Sequence, residues 1–294
     1  VVGYLEGRRT SELLLAGLSC SFILASGVVK NVGQSLMGDY GISEGWMPAA
    51  VGGLFLPLYL ASVWMLDRIP PATREDQEAR TVRETMNHVH RLAFVKHFLL
   101  GLVLLIVAYF FLTAYRDFRD NFAAEIWADL GMGGQAEIFT LTELPISALV
   151  LGVLATLNAI RDNRRALAAN ILLVGAGLII AGLSCAACAV HAINPVIWMI
   201  VLGAGLYLAY TPFNGMLFDR LVAAGGTAGT AGYLIYIADS SGYAGSIAMM
   251  LLRNFLGFNF RTVPFLVAAG ILTGVVGTIL LVASSVYFYR RVQR

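Results

Sequence analysis

Apolar runs long enough to cross a bilayer alternate with short polar breaks along most of this chain. A helix needs about 20 apolar residues to span the hydrocarbon. Eight stretches qualify: roughly 13–32, 46–66, 97–115, 139–160, 166–190, 196–218, 230–252 and 263–288. Polar residues mark helix starts, with Thr10, Ser11 and Glu12 before the first run and Asn194 with Pro195 before the sixth. One break is much longer. Residues 67–96, which contain DRIPPATREDQEARTVRETMNHVHR, mix both charges and hold Pro70 and Pro71. This is the pattern of a solvated linker with a short surface helix. After the third run, RDFRDNFAAEIWADL predicts a helical extension. Pro212, inside the sixth run, removes a backbone donor and predicts a kink.

Composition turns this pattern into a fold class. The chain is 58% hydrophobic and 13% charged, with a mean hydropathy of +0.75. Soluble domains carry about a quarter charged residues, so the expectation is an all-α integral membrane protein of eight transmembrane helices, partnered by the lipid bilayer. A net charge of +2 offers no basic footprint for nucleic acid. Cys20, Cys185 and Cys188 lie in apolar runs and imply no disulfide framework. Cys185 and Cys188 read as small packing residues rather than metal ligands, and no cofactor motif is present. Basic residues set the orientation. With the tail YFYRRVQR in the cytoplasm, every Lys and Arg except Lys30, Arg116, Arg119, Arg253 and Arg261 falls on the cytoplasmic side. Both termini are then cytoplasmic, in the cytoplasmic (inner) membrane. The chain opens on Val1 with no signal pattern ahead of its first apolar run, and we expect a fragment of a longer protein.

Among the 18 carboxylates, Asp239 alone falls near a bilayer midplane. It lies about 15 Å from Gly229 and about 21 Å from Arg253 at 1.5 Å per helical residue. Tyr233, Tyr236, Ser240, Ser241 and Tyr243 surround it in sequence. An aspartate at a helix centre costs about 2.5–3.5 kcal/mol on insertion scales, so a functional role is the leading reading: binding a proton, a cation or a polar substrate group. The alternative is an aspartate that bonds Ser or Tyr hydroxyls to fix packing. In RDFRDNFAAEIW, Arg119 is a candidate for an anionic substrate, and Asp120 and Asn121 for the wall of an outer cavity. The rival reading lays this segment on the outer interface, with Phe118, Phe122 and Trp127 in the headgroups. Lys30 and Glu143 lie near outer helix ends, as cavity residues or as side chains reaching the surface. Tyr210 and Asn214 flank the Pro212 kink, where a cavity wall or gate is the candidate role. A membrane-embedded enzyme is not expected. An aspartyl protease needs two deep carboxylates, and ASG at 25–27 and DSSG at 239–242 miss the pattern of an intramembrane serine protease.

Two spans, a long charged linker and six spans ending in a basic tail resemble the last two-thirds of a major facilitator superfamily transporter. IRDNRR at 160–165 resembles the superfamily's repeated cytoplasmic loop signature, although it is shorter and lacks the glycine. The phrases GYLEGRRTSELL, YRDFRDNFAAEIW and YLIYIADSSGYAGS are similar to those of an uncharacterised bacterial facilitator-like group of unknown function. The resemblance implies a remnant N-terminal bundle at 1–66, a cytoplasmic linker at 67–96, and a complete six-helix bundle at 97–294, with the first four of twelve helices missing. It implies secondary active transport of a small polar or anionic solute by alternating access, coupled to protons through Asp239, by a protein that is a monomer when full length. Asp162, Arg164 and Arg165 become candidates for a cytoplasmic gate, with Asp162 at the start of the Asp239 helix. A facilitator-like sensor or scaffold that moves nothing is the alternative.

Overall fold

The computed structural model describes residues 11–70, 88–160, 162–224, 232–255 and 261–292, and all regular structure among them is helical. The elements are α1 (Ser11–Gly38), α2 (Met47–Asp67), α3 (His88–His97), α4 (Leu99–Asn121), α5 (Ala123–Asp129), α6 (Ile138–Asn158), α7 (Asn163–Ala189), α8 (Pro195–Gly215), α9 (Leu217–Ala224), α10 (Gly232–Phe255) and α11 (Thr262–Val292).

Local chemistry explains the boundaries. Asp162 is extended (φ −73°, ψ 121°), and its carboxylate accepts from the Arg165 backbone N–H at 2.7 Å, capping α7. Asn194 does the same for α8 by accepting from Val196 N–H at 2.8 Å, and Pro195 fills the first helical position. The expected kink at Pro212 becomes a break: α8 ends at Gly215, Met216 interrupts, and α9 follows. The RDFRDN extension continues α4 without interruption, and the chain breaks only at Phe122 (φ −105°, ψ 23°).

Six of the described helices are long and apolar enough to cross a membrane: α2, α4, α6, α7, α8 and α11. Eight were expected. The other two, α1 and α10, run to 28 and 24 residues but are not among the six over the described residues. In α10 the apolar run is diluted by Asp239, Ser240, Ser241, Ser246 and Arg253. Part of the linker, 71–87, and the glycines at 225, 226 and 229 lie outside the described residues.

The chain forms two compact units. The first joins α1 and α2 with residues 134–155, hence most of α6; the second holds the remainder. This grouping differs from the expected one, in which α6 was counted with the later helices. In the first unit α1 and α6 cross closely. Asn31 Nδ2 donates to Thr140 Oγ1 at 3.0 Å, and a Cβ added at Gly27 would meet the Phe139 carbonyl oxygen at 2.7 Å. Helix α2 is apolar on every side and almost wholly exposed, with Val51 its one buried residue, as suits a helix facing lipid.

The second unit is built around α7, which packs on α8 and α11, while α4 packs on α10 and α11. Small residues let these helices approach. A Cβ at Gly205 of α8 would lie 2.7 Å from the Gly177 carbonyl oxygen and 2.8 Å from the Ala181 nitrogen of α7. Gly182 of α7 similarly faces Gly274 of α11. Between these helices sit buried aromatics, including Trp127, Trp198, Phe118 and Phe213. Phe118, Phe122 and Trp127 are all buried, which overturns the reading that set them in the headgroups.

Candidate functional site

Three helices of the second unit bring hydroxyl, carboxylate and guanidinium groups together. Helix α10 contributes Asp239, Tyr243 and Ser246, spaced four and three residues apart and therefore on one face. Helix α4 contributes Tyr109 and, about two turns later, Arg116 and Asp117. Helix α8 contributes Tyr207 and Tyr210.

Tyr109 is fully buried, and its hydroxyl donates to Asp239 Oδ1 at 2.6 Å. The Tyr109 ring stacks on Tyr210 with centroids 5.5 Å apart and planes 15° from parallel, and it packs on Phe213 at 4.8 Å. These contacts fix the direction of the hydroxyl, so the bond to Asp239 is preorganised. Asp239 is half-buried. The bond from Tyr109 to Oδ1 is the one hydrogen bond its carboxylate makes among the described residues, which leaves Oδ2 open.

The neighbouring charges are arranged differently. Arg116 pairs with the adjacent Asp117 through Nη2 and Oδ1. The same guanidinium lies 3.8 Å from the Tyr210 ring centroid and 6.0 Å from that of Tyr207, within cation–π range. The other Asp117 oxygen, Oδ2, accepts from Ser246 Oγ of α10 at 2.5 Å. Arg116 Nε is buried and without a partner. The pair is thus closed on itself and electrically neutral, whereas Asp239 carries the uncompensated carboxylate of the cluster. Tyr243, 53% exposed, lies close enough to Asp239, Tyr210, Arg116 and Asp117 to interact electrostatically with each.

The other sequence candidates distribute as follows. Tyr210 joins the cluster directly. Tyr236 and Ser240 are exposed on the helix that carries Asp239. Arg119 is buried, and its Nη2 donates to the Met199 carbonyl of α8 at 3.1 Å. This bond ties α4 to α8. Asp120 is half-buried, and Asn121 is exposed with its amide 3.7 Å from the Met250 sulfur. Glu143 is buried beside Gly27 in the first unit, and Lys30 is half-buried in that same unit. The Asn214 side chain lies outside the described residues. Asp162 caps its own helix rather than another, and Arg164 and Arg165 are exposed at that helix start. Cys185 is buried with its sulfur 3.4 Å from the Tyr115 hydroxyl, a packing position. No group of three or more His, Cys, Asp or Glu residues suited to a metal occurs among the described residues.

Sequence reasoning missed Tyr109, Asp117 and Ser246 as members of this cluster. A tyrosine in an apolar run looks like packing, and its partner lies 130 residues away. The fold and the cluster define an α-helical protein with membrane-length apolar helices and a polar site inside its second helical unit. The chain belongs to a family of unknown function, DUF5690, whose model matches residues 1–291. Neither the curated proteins nor the solved structures contain a match to it.

Proposed function

We propose that this protein is a secondary active transporter that moves a small polar solute across the cytoplasmic membrane by alternating access. In this reading eight spans adopt a major-facilitator-like arrangement, both termini are cytoplasmic, and transport couples to protons at Asp239. The observation that carries it is the setting of Asp239, with one oxygen gripped by a buried tyrosine and the other open. An aspartate used only for packing has both oxygens occupied by neighbours, because an unsatisfied buried carboxylate is costly. Here a half-buried aspartate in an apolar helix keeps one oxygen as an acceptor for something that arrives from outside. The polar class of solute suits the geometry better than the anionic one, since Arg119 is engaged by a backbone carbonyl and Arg116 by Asp117.

The test uses the full-length protein in proteoliposomes loaded with a pH-sensitive dye, with gradients of sugars, amines and organic acids imposed in turn. A solute that drives proton movement in the native protein should do so at least tenfold more slowly in Asp239→Asn, while the variant still inserts and elutes as one species. Equal proton movement in the variant would sink the coupling role. Binding of a solute with no flux would favour a sensor or scaffold instead.

A further inference from the structure

The geometry points to a small organic cation, an alkylammonium or quaternary ammonium group, as the ligand class of the Asp239 site. This rests on the reading of Asp239 as a ligand-facing residue and narrows it.

The charges decide the sign. Inside the helices of the second unit, three arginines lie near the cluster or along the same helices, and each is engaged. Arg116 pairs with Asp117 and lies over Tyr210. Arg119 donates to the Met199 carbonyl. Arg253 donates to Thr262 Oγ1 at 3.1 Å and lies 3.9 Å from the Phe122 ring centroid. The Arg116 Nε that lacks a partner is buried, so an anion finds no exposed cation among these three. Asp239 has the opposite character, a carboxylate with Oδ2 open and only a neutral hydroxyl on Oδ1. A charge in low dielectric is stabilised far better by a counter-charge than by a neutral donor.

The shape of the surroundings adds the second element. Tyr236 and Tyr243 stand three residues before and four residues after Asp239 on α10, neighbours on its surface. They are 73% and 53% exposed. Exposed tyrosine rings beside an open carboxylate combine an ion pair with cation–π faces, which is how proteins hold alkylated ammonium groups. A bare metal cation would use the carboxylate but not the rings. A sugar would use the rings but leave the charge unanswered.

The full-length protein in nanodiscs, titrated calorimetrically, tests this directly. Choline is compared with its uncharged isostere 3,3-dimethylbutan-1-ol, butylammonium with butan-1-ol, and both cations with sodium. We expect each organic cation to bind at least tenfold more tightly than its neutral counterpart. Asp239→Asn should erase that preference. Tyr243→Phe should keep choline affinity within about twofold, whereas Tyr243→Ala should weaken it fivefold or more. Equal binding of the neutral isosteres, an unchanged preference in Asp239→Asn, or sodium matching choline would each overturn the inference. Charge-selective binding without exchange across proteoliposomes keeps this inference and removes the carrier reading. Proton movement at Asp239 without charge-selective binding does the reverse.

Discussion

The bond between Tyr109 and Asp239 can be weighed by a double-mutant cycle. Tyr109→Phe deletes one hydroxyl and leaves the ring against Tyr210 and Phe213, so its packing at 5.5 and 4.8 Å is retained. Asp239→Ala deletes the acceptor. Hydrogen bonds to charged groups contribute about 1.5–3 kcal/mol in water-soluble proteins, whereas membrane-embedded bonds measured by such cycles average about 0.6 kcal/mol with a maximum near 1.7. The 2.6 Å separation, the buried donor and the carboxylate acceptor all favour the upper part of the membrane range. We therefore expect a coupling energy of about 1–2 kcal/mol. The assay is unfolding in mixed micelles of increasing denaturing detergent, followed by circular dichroism, for the native protein, both single variants and the double variant. A coupling below about 0.5 kcal/mol would refute the reasoning, since an average membrane hydrogen bond would exceed it.

Two further outcomes bear on the fold. Gly205→Val should lower the melting temperature by several degrees, because its side chain would drive into backbone atoms of α7 at 2.7 and 2.8 Å and overpacking costs about 1–3 kcal/mol. Gly152→Ala, at a position with open space, is the control and should leave the melting temperature unchanged or slightly raised. Asp162→Ala should cost about 0.5–2 kcal/mol through loss of the α7 cap, and Asp162→Ser should restore most of it. Failure of serine to restore the melting temperature would point back to a gate role for this carboxylate.

The helices were largely legible because the signals that set them are local. Asn194 with Pro195 announced the start of α8, and small residues sit where helices cross closely, at Gly242 against Thr113 and at Gly274 against Gly182. The break at Met216 was less visible, since Pro212 alone predicts a bend and not where the helix restarts. The site was legible at Asp239, whose charge contradicts its surroundings, and at Tyr210 beside the Pro212 kink. The partner of Asp239 was not, because nothing local distinguishes Tyr109 from a packing tyrosine. Arg116 and Asp117 were hidden for another reason. Adjacent helical residues do not normally face each other, yet Arg116 folds back to Asp117 because the rings of Tyr207 and Tyr210 cover its other side. Arg119, on the same helix, donates to the Met199 backbone carbonyl, a partner that no sequence pattern announces.

The ion pair of Arg116 and Asp117 lies wholly within α4 and does not stitch that helix to α10. The polar links across that seam include two hydroxyl donors, Tyr109 to Asp239 and Ser246 to Asp117, and the Asn121 amide against the Met250 sulfur. Parting two helices joined by a buried ion pair uncovers a charge at about 3–5 kcal/mol. Parting these two breaks bonds that water or a solute hydroxyl can replace almost one for one. Separating α4 from α10 would therefore leave the Arg116–Asp117 pair intact.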